Sequence, residues 1–338
     1  MKLLKTASLS VAALALASSF ASADTLENVK SKGILSCGVS TGIAGFSATD
    51  SSGEWKGLDV DMCKAVASAV LGDTSKIKYV PLTAKERFTA LQSGEIDMLS
   101  RATTWTATRD TSLGLNFAGV NYYDGQGFLV SKKIGVNSAL ELDGATVCIQ
   151  AGTTSELNLT DYFKANKMTY KPITYDTSGQ TIEGFKSGRC DVVTSDASQL
   201  YGLVLKVKDP NSVQVLPEII SKEPLGPVVR QGDDKWFNIV KWSHIAMLNA
   251  EEFGITKANV DSMKGSKNPG IQRILGESGE AGKNLGLDAK WAYNIIKNVG
   301  NYGESFDRNV GKDSPLKISR GLNELWTNGG LQYGAPIR

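Results

Sequence analysis

Residues 97–130, DMLSRATTWTATRDTSLGLNFAGVNYYDGQGFLV, contain the segment from which the rest of the chain can be interpreted. An apolar run ending at Leu99 predicts a short buried strand, and the polar residues 101–104 predict a loop. Thr106 and Arg109 then mark the start of a helix. A loop that leads from a strand into a helix presents free backbone N–H groups and the positive end of the helix dipole, which favour an anion. Because the planar guanidinium of Arg109 can pair with both oxygens of a carboxylate, the segment predicts a carboxylate-binding site.

This loop resembles the ligand loop of the periplasmic amino-acid-binding proteins of ABC importers. In that family a small residue, a Ser or Thr two positions later and an Arg five positions after that hold the α-carboxylate of the ligand. Ala102, Thr104 and Arg109 occupy these positions. The resemblance therefore implies that these three residues bind a carboxylate. The alternative is an ordinary helix N-cap followed by a surface arginine, because threonine-rich loops commonly cap helices.

The first 23 residues have the pattern of a secretory signal peptide. Lys2 and Lys5 are basic, residues 11–17 are apolar, and Ala21-Ser22-Ala23 is a small-residue cleavage site. The apolar run is too short to cross a membrane, and no later stretch approaches the ~18 apolar residues that a transmembrane helix needs. No cysteine follows the apolar run, so we expect no lipid anchor. The sequence predicts an exported protein that is soluble in the periplasm.

The mature chain has a balanced charge and the length of about two domains. Removing 23 of the 338 residues leaves 315, and removing Lys2 and Lys5 leaves 35 basic residues against 35 acidic ones. Proteins that bind nucleic acids usually carry a basic surface. The charge balance therefore disfavours a nucleic-acid partner.

Four cysteines remain after export, and an even number in an exported protein indicates disulfides. Four cysteines allow three pairings. Local context favours Cys37–Cys63, because Cys37 lies on a predicted strand and Cys63 on the next helix, and Cys148–Cys190, because both lie beside strands in the second half. Buried free thiols are the alternative. A metal site is not expected, because no CxxC occurs and His244 is the single histidine of the sequence.

Strands and helices alternate along both halves of the chain. In the first half we expect a strand at 33–39, a helix at 57–71 ended by Gly72, a strand at 77–80, a helix at 84–92 and a strand at Met98. In the second half we expect a strand at 145–149, followed by a helix. Alternating strands and helices imply a mostly parallel sheet covered by helices.

A short similarity between the halves suggests two lobes of similar architecture. Residues 185–193 repeat the pattern of residues 91–99: a helix end, Ser-Gly, two residues, Asp and an apolar strand. We expect residues 24–130 to form the first part of lobe 1, residues 131–224 to form lobe 2, and residues 225–338 to return to lobe 1 and add a helical tail. Two crossings of the chain, near residues 128–132 and 221–226, would make a natural hinge. Within the tail, Trp291 and Ile295 suggest one amphipathic helix, and Leu322 and Trp326 suggest another.

Two segments of the second half strengthen the resemblance. Thr153 and Thr154 open a helix after a strand, a second N-terminus suited to an anion; in the family this loop touches the ligand carboxylate from the opposite side. Asp196 follows a strand, where the family has the aspartate that binds the ligand's α-ammonium group. The alternative for Asp196 is an exposed loop acid or a helix N-cap.

The resemblance extends from about Leu35 to Gly254. It implies the type II periplasmic-binding-protein fold: two α/β lobes, each a mostly parallel sheet covered by helices, joined by two hinge crossings. The long tail and the even cysteine set are most similar to the general L-amino-acid-binding proteins, which serve glutamate, glutamine, aspartate and asparagine. Two positions depart from the family: Ile43 replaces an aromatic residue that stacks on the ligand in many members, and Arg101 stands where smaller residues are common.

Arg87 and Ser40 complete the expected ligand site. Similar glutamate and aspartate binders use an arginine at the position of Arg87 for the side-chain carboxylate of the ligand, and a surface arginine is the alternative. Ser40 follows the first strand and is expected to line the cleft.

The sequence thus predicts a binding protein that delivers an L-amino acid to an inner-membrane ABC permease. We expect a monomer, with no nucleic-acid partner. We expect no catalytic residue, metal or cofactor, because no GxSxG, HExxH or P-loop pattern occurs. One alternative is a periplasmic cyclohexadienyl or arogenate dehydratase on the same fold, with a cleft carboxylate as general acid. Another is a ligand-binding module that serves a chemoreceptor.

Overall fold

A computed structural model describes residues 24–338, so the predicted signal peptide lies outside the described residues. Within residues 24–338 no helix has the length and apolarity to cross a membrane. The strands are β1 (Leu35–Ser40), β2 (Ala48–Thr49), β3 (Trp55–Lys56), β4 (Ile77–Leu82), β5 (Met98–Leu99), β6 (Leu115–Phe117), β7 (Tyr122–Asp124), β8 (Gln126–Ser131), β9 (Thr146–Gln150), β10 (Lys171–Tyr175), β11 (Val192–Asp196), β12 (Val213–Val215), β13 (Glu223–Leu225) and β14 (Val228–Arg230).

The helices follow the same chain order, and short 3-10 turns separate some of them. The α-helices are α1 (Thr25–Lys32), α2 (Leu58–Leu71), α3 (Arg87–Gln92), α4 (Ala107–Ser112), α5 (Thr154–Ala165), α6 (Ser178–Lys186), α7 (Ala197–Val204), α8 (Asp234–Glu252), α9 (Pro269–Ile274), α10 (Ala281–Leu285), α11 (Trp291–Asn298) and α12 (Tyr302–Asn309). The 3-10 turns are Lys132–Ile134, Ala139–Glu141, Pro210–Ser212, Gly321–Asn323 and Trp326–Asn328.

Two five-stranded sheets form the centres of two lobes. The order is β4-β1-β5-β14-β6 in the first sheet and β10-β9-β11-β8-β12 in the second. In each sheet the first three strands are parallel and the fourth is antiparallel to both of its neighbours. The strands β5 and β11, which carry the repeated sequence pattern, occupy equivalent positions. The prediction of two similar, mostly parallel lobes is therefore confirmed.

The two chain crossings are β7 and β13, which pair with each other outside both sheets. They are antiparallel, with Glu223 opposite Asp124 and Leu225 opposite Tyr122. The second crossing lies within the expected range 221–226. The first lies before the expected range 128–132, because β8 already pairs with β11 in the second sheet. The segment expected to form the first crossing belongs largely to a core strand of lobe 2, and Phe128 is fully buried there.

Lobe 1 is built around α2, which is buried along most of its length. The helix packs against α8 and α11, so apolar residues on several of its faces find partners. It ends where the sequence predicts, because Gly72 adopts a left-handed conformation and donates its N–H to the carbonyl of Ser68. Apolar side chains on α11 and α12 join the same core. The tail is therefore part of lobe 1 and not a separate appendage.

The structure confirms one of the two helices expected in the tail. The segment containing Trp291 and Ile295 forms α11, and both side chains are buried. The helix expected around Leu322 and Trp326 is wrong: this segment forms two 3-10 turns, and the two side chains are 59% and 49% exposed. Glycines with positive φ bound it at Gly321 and Gly329, where they favour turns over a continued helix.

Both disulfides connect elements within one lobe. Cys37 of β1 is bonded to Cys63 of α2, with their Cα atoms 6.2 Å apart. Cys148 of β9 is bonded to Cys190, two residues before the start of β11, with a Cα–Cα distance of 5.7 Å. These are the pairings that local context favours. Since neither disulfide bridges the two lobes, neither restrains movement at the hinge.

Candidate functional site

A cavity lies between the two lobes and is lined by residues of both. Its lining is polar except for one alanine, and its volume is about 20 Å³, room for about one water molecule. From lobe 1 the lining residues are Arg87, Arg101, Ala102 and Thr104. From lobe 2 they are Gln150, Thr153, Thr154, Ser155, Thr194, Ser195, Asp196 and Gln199. The cavity therefore brings together six of the eight ligand-binding residues expected from the sequence.

The cavity is small because the lobes touch around it. The hydroxyl oxygens of Thr104 and Thr154, one from each lobe, are 3.3 Å apart. Arg87 Nη2 donates to the carbonyl oxygen of Gly152 at 3.4 Å. At the rim, Lys85 Nζ and Asp176 Oδ1 form an ion pair at 2.9 Å. The two threonines that the sequence assigns to opposite sides of the ligand thus meet directly.

The loop after β5 is held by Asp59, a buried residue in the first turn of α2. Its Oδ2 accepts the backbone N–H of Ala102 at 2.8 Å, and its Oδ1 accepts the hydroxyl of Ser100 at 3.2 Å. Burial raises the pKa of Asp59 to about 6 despite these hydrogen bonds. Ala102 has a φ of 40°, a left-handed conformation that only a fixed loop imposes on alanine. Sequence reasoning missed Asp59, although an acidic residue within an apolar helix is a signal that could have found it.

Arg109 lies behind Thr104 and does not line the cavity. The hydroxyl of Thr106 caps α4 by accepting the backbone N–H of Arg109, as the sequence predicts for a helix start. The side chain is buried, and its Nη1 donates to the carbonyl oxygen of Thr104 at 2.8 Å. Burial lowers its pKa, and Glu223 and Asp196 act in the opposite direction. Arg109 therefore supports the loop after β5 from within lobe 1.

Arg87 is buried at the start of α3 and lines the cavity, which is inconsistent with the surface-arginine alternative. Its guanidinium carbon lies 4.7 Å from the centre of the Phe88 ring, a cation–π distance. Burial lowers its pKa, and the neighbouring charges of Arg101 and Arg109 lower it further. Three buried arginines therefore concentrate positive charge at and behind the lobe 1 wall.

Asp196 supplies the opposite charge from lobe 2. It is buried at the end of β11, and its Oδ2 accepts a hydrogen bond from Gln199 Nε2 at 2.6 Å. It precedes α7 but makes no capping hydrogen bond with its side chain, and it is not an exposed loop acid. Burial raises its pKa well above the usual range, and the carboxylates of Asp124 and Glu223 raise it further. A cation in the cavity would relieve this unfavourable environment.

The hinge strands contribute two acidic residues that the sequence did not reveal. Glu223 accepts hydrogen bonds from Thr154 Oγ1 at 2.8 Å and from Asn158 Nδ2 at 2.6 Å, so it ties β13 to α5. Asp124, opposite it on β7, accepts hydrogen bonds from Ser198 Oγ and, at 2.9 Å, from the N–H of Gly125. Burial raises the pKa of Asp124 to about 6. Nothing in the local sequence marks these positions, because their importance depends on how the two crossings pair.

Ser40 lies outside the cavity lining. Its buried hydroxyl accepts the N–H groups of Ile43 and Gly42 and donates to the carbonyl of Ser47 at 3.0 Å. It therefore organises the turn after β1. The lining also contains lobe 2 residues that sequence reasoning did not select: Gln150, Ser155, Thr194, Ser195 and Gln199. They lie on β9, α5, β11 and α7, close in sequence to Thr154 and Asp196. Their proximity to these two residues could have identified them from the sequence.

Residues 35–253 match the model of one protein family, the bacterial extracellular solute-binding proteins, family 3. The chain belongs to this family. The match ends just after α8, so the tail from residue 254 lies outside the part that defines the family. The predicted family membership is confirmed.

Two relatives of similar length match nearly the whole chain. The chain is 60% identical, over 337 residues and 99% of each chain, to a general L-amino acid-binding periplasmic protein of Rhizobium johnstonii. It is 53% identical over 330 residues to a glutamate/glutamine/aspartate/asparagine-binding protein of Rhodobacter capsulatus, covering 97% of this chain and 98% of that one.

A solved structure confirms the type II periplasmic-binding-protein fold. It is an ABC transporter/periplasmic binding protein from Brucella ovis with glutathione bound, 59% identical, and it matches with a TM-score of 0.91. The match covers 94% of this chain and all of the other. Since that coverage includes the tail, the packing of the tail on lobe 1 belongs to the shared architecture.

Proposed function

We propose that this protein is the periplasmic substrate-binding component of an ABC importer for L-amino acids, favouring glutamate, glutamine, aspartate and asparagine. The observation that carries the proposal is the cavity itself, which has buried arginines on the lobe 1 side and the buried Asp196 on the lobe 2 side. This pair of charges is complementary to the carboxylate and ammonium groups of a zwitterion. The names of the relatives support the same class of ligand.

We assign the ends of the ligand to opposite lobes. Thr104 binds the α-carboxylate from lobe 1, beside the small side chain of Ala102 and with the buried guanidinium of Arg109 behind it, and Thr153 and Thr154 approach it from lobe 2. Asp196 binds the α-ammonium group, and Arg87 binds a side-chain carboxylate. Ser40 acts indirectly, through the turn after β1.

Binding at this site couples to the position of the lobes. A ligand that contacts both lobes has a higher affinity for the arrangement in which they meet, and it stabilises that arrangement by this difference in affinity. The closed monomer then docks on an inner-membrane permease, which recognises the relative position of the two lobes. In this role the protein needs no catalytic group, metal or cofactor.

Isothermal titration calorimetry with refolded, ligand-stripped protein tests the proposal. We expect several of the twenty L-amino acids to bind, with the four named ones among the tightest. Binding of none of them would contradict it. Incubation with prephenate and arogenate tests the dehydratase alternative, and formation of an aromatic product would overturn the assignment as a transport protein.

Glutathione is a second candidate ligand, favoured by the relative from Brucella ovis that holds it. Its γ-glutamyl end carries the same α-carboxylate and α-ammonium groups as glutamate, so the same charges would bind it. Competition between glutathione and L-glutamate in the calorimeter decides this point. Heat from glutathione that is unaffected by saturating glutamate would indicate a separate site.

A further inference from the structure

The wall of the cavity in lobe 1 contains a second arginine beside Arg87. Arg101 follows β5, lines the cavity and is 3% exposed, while Arg87 is 2% exposed. Within residues 24–338, neither guanidinium has a carboxylate oxygen within 4 Å of its nitrogens. Asp59 also acts on the charge of Arg101, but its two carboxylate oxygens accept hydrogen bonds from Ser100 and Ala102. In the part of the chain that the structure describes, two buried positive charges therefore share one wall without an ion-pair partner.

The hydrogen bonds of these two arginines are also incomplete. Arg101 Nε donates to the carbonyl of Leu82 at 3.0 Å, and within the described part of the chain its two terminal nitrogens have no hydrogen-bond acceptor. Arg87 donates only from Nη2, to Gly152 at 3.4 Å, and its buried Nε has no partner among residues 24–338. Buried charged donors are costly unless an acceptor satisfies them. A guanidinium has five N–H groups, so most of the donors here remain available to a ligand.

We infer that Arg87 and Arg101 together form a subsite for a second carboxylate of the ligand, so that two guanidinium groups hold the side-chain carboxylate of an acidic amino acid. The inference rests on the proposed function and deepens it, since it assigns to Arg101 a role in distinguishing acids from amides. The bond from Nε to Leu82 fixes the stem of Arg101, which orients its terminal nitrogens. A second carboxylate on the ligand would also account for the positive charge on this wall, which exceeds what an α-carboxylate alone requires.

The opposing assignment is that Arg101 only anchors the loop after β5 through its bond to Leu82. In that case its replacement would weaken all ligands alike, or none. A third possibility is that Arg101 binds the α-carboxylate, which every amino acid shares. Both alternatives leave the ratio of acid affinity to amide affinity unchanged. L-Glutamate and L-glutamine therefore form the informative pair, because they have the same shape and differ in charge.

The experiment compares Arg101→Gln, Arg101→Lys and wild type by titration calorimetry with L-glutamate and L-glutamine, at one pH and salt concentration. We expect Arg101→Gln to lower the glutamate-to-glutamine affinity ratio by about tenfold or more, the effect of losing a hydrogen bond to a charged group. Arg101→Lys keeps the charge but not the forked geometry, so its glutamate-to-glutamine affinity ratio should lie between those of wild type and Arg101→Gln. Lys78→Gln removes an exposed positive charge of β4 outside the cavity and should leave the ratio unchanged.

The outcomes separate this inference from the proposed function. Wild-type protein that binds no L-amino acid would contradict the proposed function. Wild-type binding combined with an unchanged ratio in Arg101→Gln would overturn only the role of Arg101. Thermal unfolding confirms that each variant is folded; if Arg101→Gln fails to fold, the ratio in Arg101→Lys decides, and an unmoved ratio counts against the subsite. Replacement of Arg87 by Gln in the same backgrounds should show non-additive losses for glutamate, because both arginines hold one carboxylate.

Discussion

Asp196 is the residue whose chemistry most clearly demands a ligand. Its carboxylate is buried, its pKa is raised by burial and by two neighbouring acids, and its one hydrogen bond within the described residues comes from an amide. An ammonium group would form a charge-assisted hydrogen bond with this carboxylate and so offset the free-energy cost of burying it. Because only the ionised carboxylate binds that group well, affinity for amino acids should rise as pH increases through the raised pKa.

Replacing Asp196 by Asn tests this role. We expect Asp196→Asn to weaken L-glutamate by about tenfold to a hundredfold, the range for a hydrogen bond to a charged group. Binding of glutarate, which has both carboxylates but no ammonium group, should change little or improve. Calorimetry with the two ligands measures the contrast. Equal losses for glutamate and glutarate would argue against ammonium recognition.

The buried His244 should make the stability of the protein depend on pH, whether or not a ligand is bound. It is buried on α8, where its Nε2 lies 3.2 Å from the carbonyl oxygen of Val120, and burial lowers its pKa to about 4. Between that value and the usual 6.5 the unfolded chain binds a proton that the folded chain does not, so stability falls as pH decreases through this window. The contribution lost between pH 7 and pH 5 is about 2 kcal/mol.

The variant His244→Gln isolates this contribution. Urea unfolding at pH 7 and pH 5 should show that wild type loses about 2 kcal/mol more than the variant, since glutamine does not titrate. Comparison with the variant is needed because the raised pKa values of Asp59 and Asp124 act in the opposite direction, adding stability as pH falls. Parallel losses in the two proteins would exclude His244 as the cause.

At the scale of elements, the tail acts on the hinge. The side chain of Asn323 accepts the N–H of Tyr123 at 2.7 Å and donates to the carbonyl of the same residue at 3.1 Å. It thus pairs with β7 as a neighbouring strand would. Tyr302 and Gln332 also donate to backbone carbonyls just before β7, at Asn121 and Val120. The tail therefore braces one crossing strand against lobe 1.

Removing this brace should weaken the hinge. Asn323→Ala leaves the partly buried N–H and carbonyl of Tyr123 without their side-chain partner, at a cost of about 0.5–1.5 kcal/mol for each hydrogen bond lost. We expect a lower urea midpoint and an altered affinity for ligand, because the crossing strand gains freedom. The control is Asn328→Ala, an exposed position in the same tail. If both variants behave as wild type, the contacts of Asn323 do not determine hinge behaviour.

The elements that local sequence determines were predicted, and those that depend on long-range pairing were not. The end of α2 at Gly72 and the N-cap at Thr106 follow from neighbouring residues. The first crossing was placed too late in the chain, after Gly125 and Gly127, because only the long-range pairing of β8 with β11 shows that lobe 2 has already begun there. At the site, motif residues such as Thr154 were found. Glu223 was missed because the two partners that tie it to α5 lie 65 and 69 residues away.

At the scale of the whole molecule, the small cavity implies that the lobes must separate for ligand exchange. A volume of about 20 Å³ holds about one water molecule, far less than an amino acid. The two disulfides lie within lobes, and among residues 24–338 only the strands β7 and β13 pair at the crossings. Each lobe is therefore internally fixed while the hinge is short, an arrangement suited to rigid-body opening.

Cross-linking the lobes at the rim tests this requirement. Lys85 and Asp176 form an exposed ion pair across the cleft at 2.9 Å, a contact of at most about 1 kcal/mol that can be replaced at little cost. Within residues 24–338 all cysteines are disulfide-bonded, so a short bismaleimide should react selectively with Lys85→Cys/Asp176→Cys. Linked without ligand, this variant should no longer take up L-glutamate, and linked with ligand it should no longer release it.

The two single variants, capped with a monofunctional maleimide, control for modification of the rim. Normal uptake by the linked protein would mean that ligand reaches the cavity without separation of the lobes, and side-chain movement alone would then have to open the site.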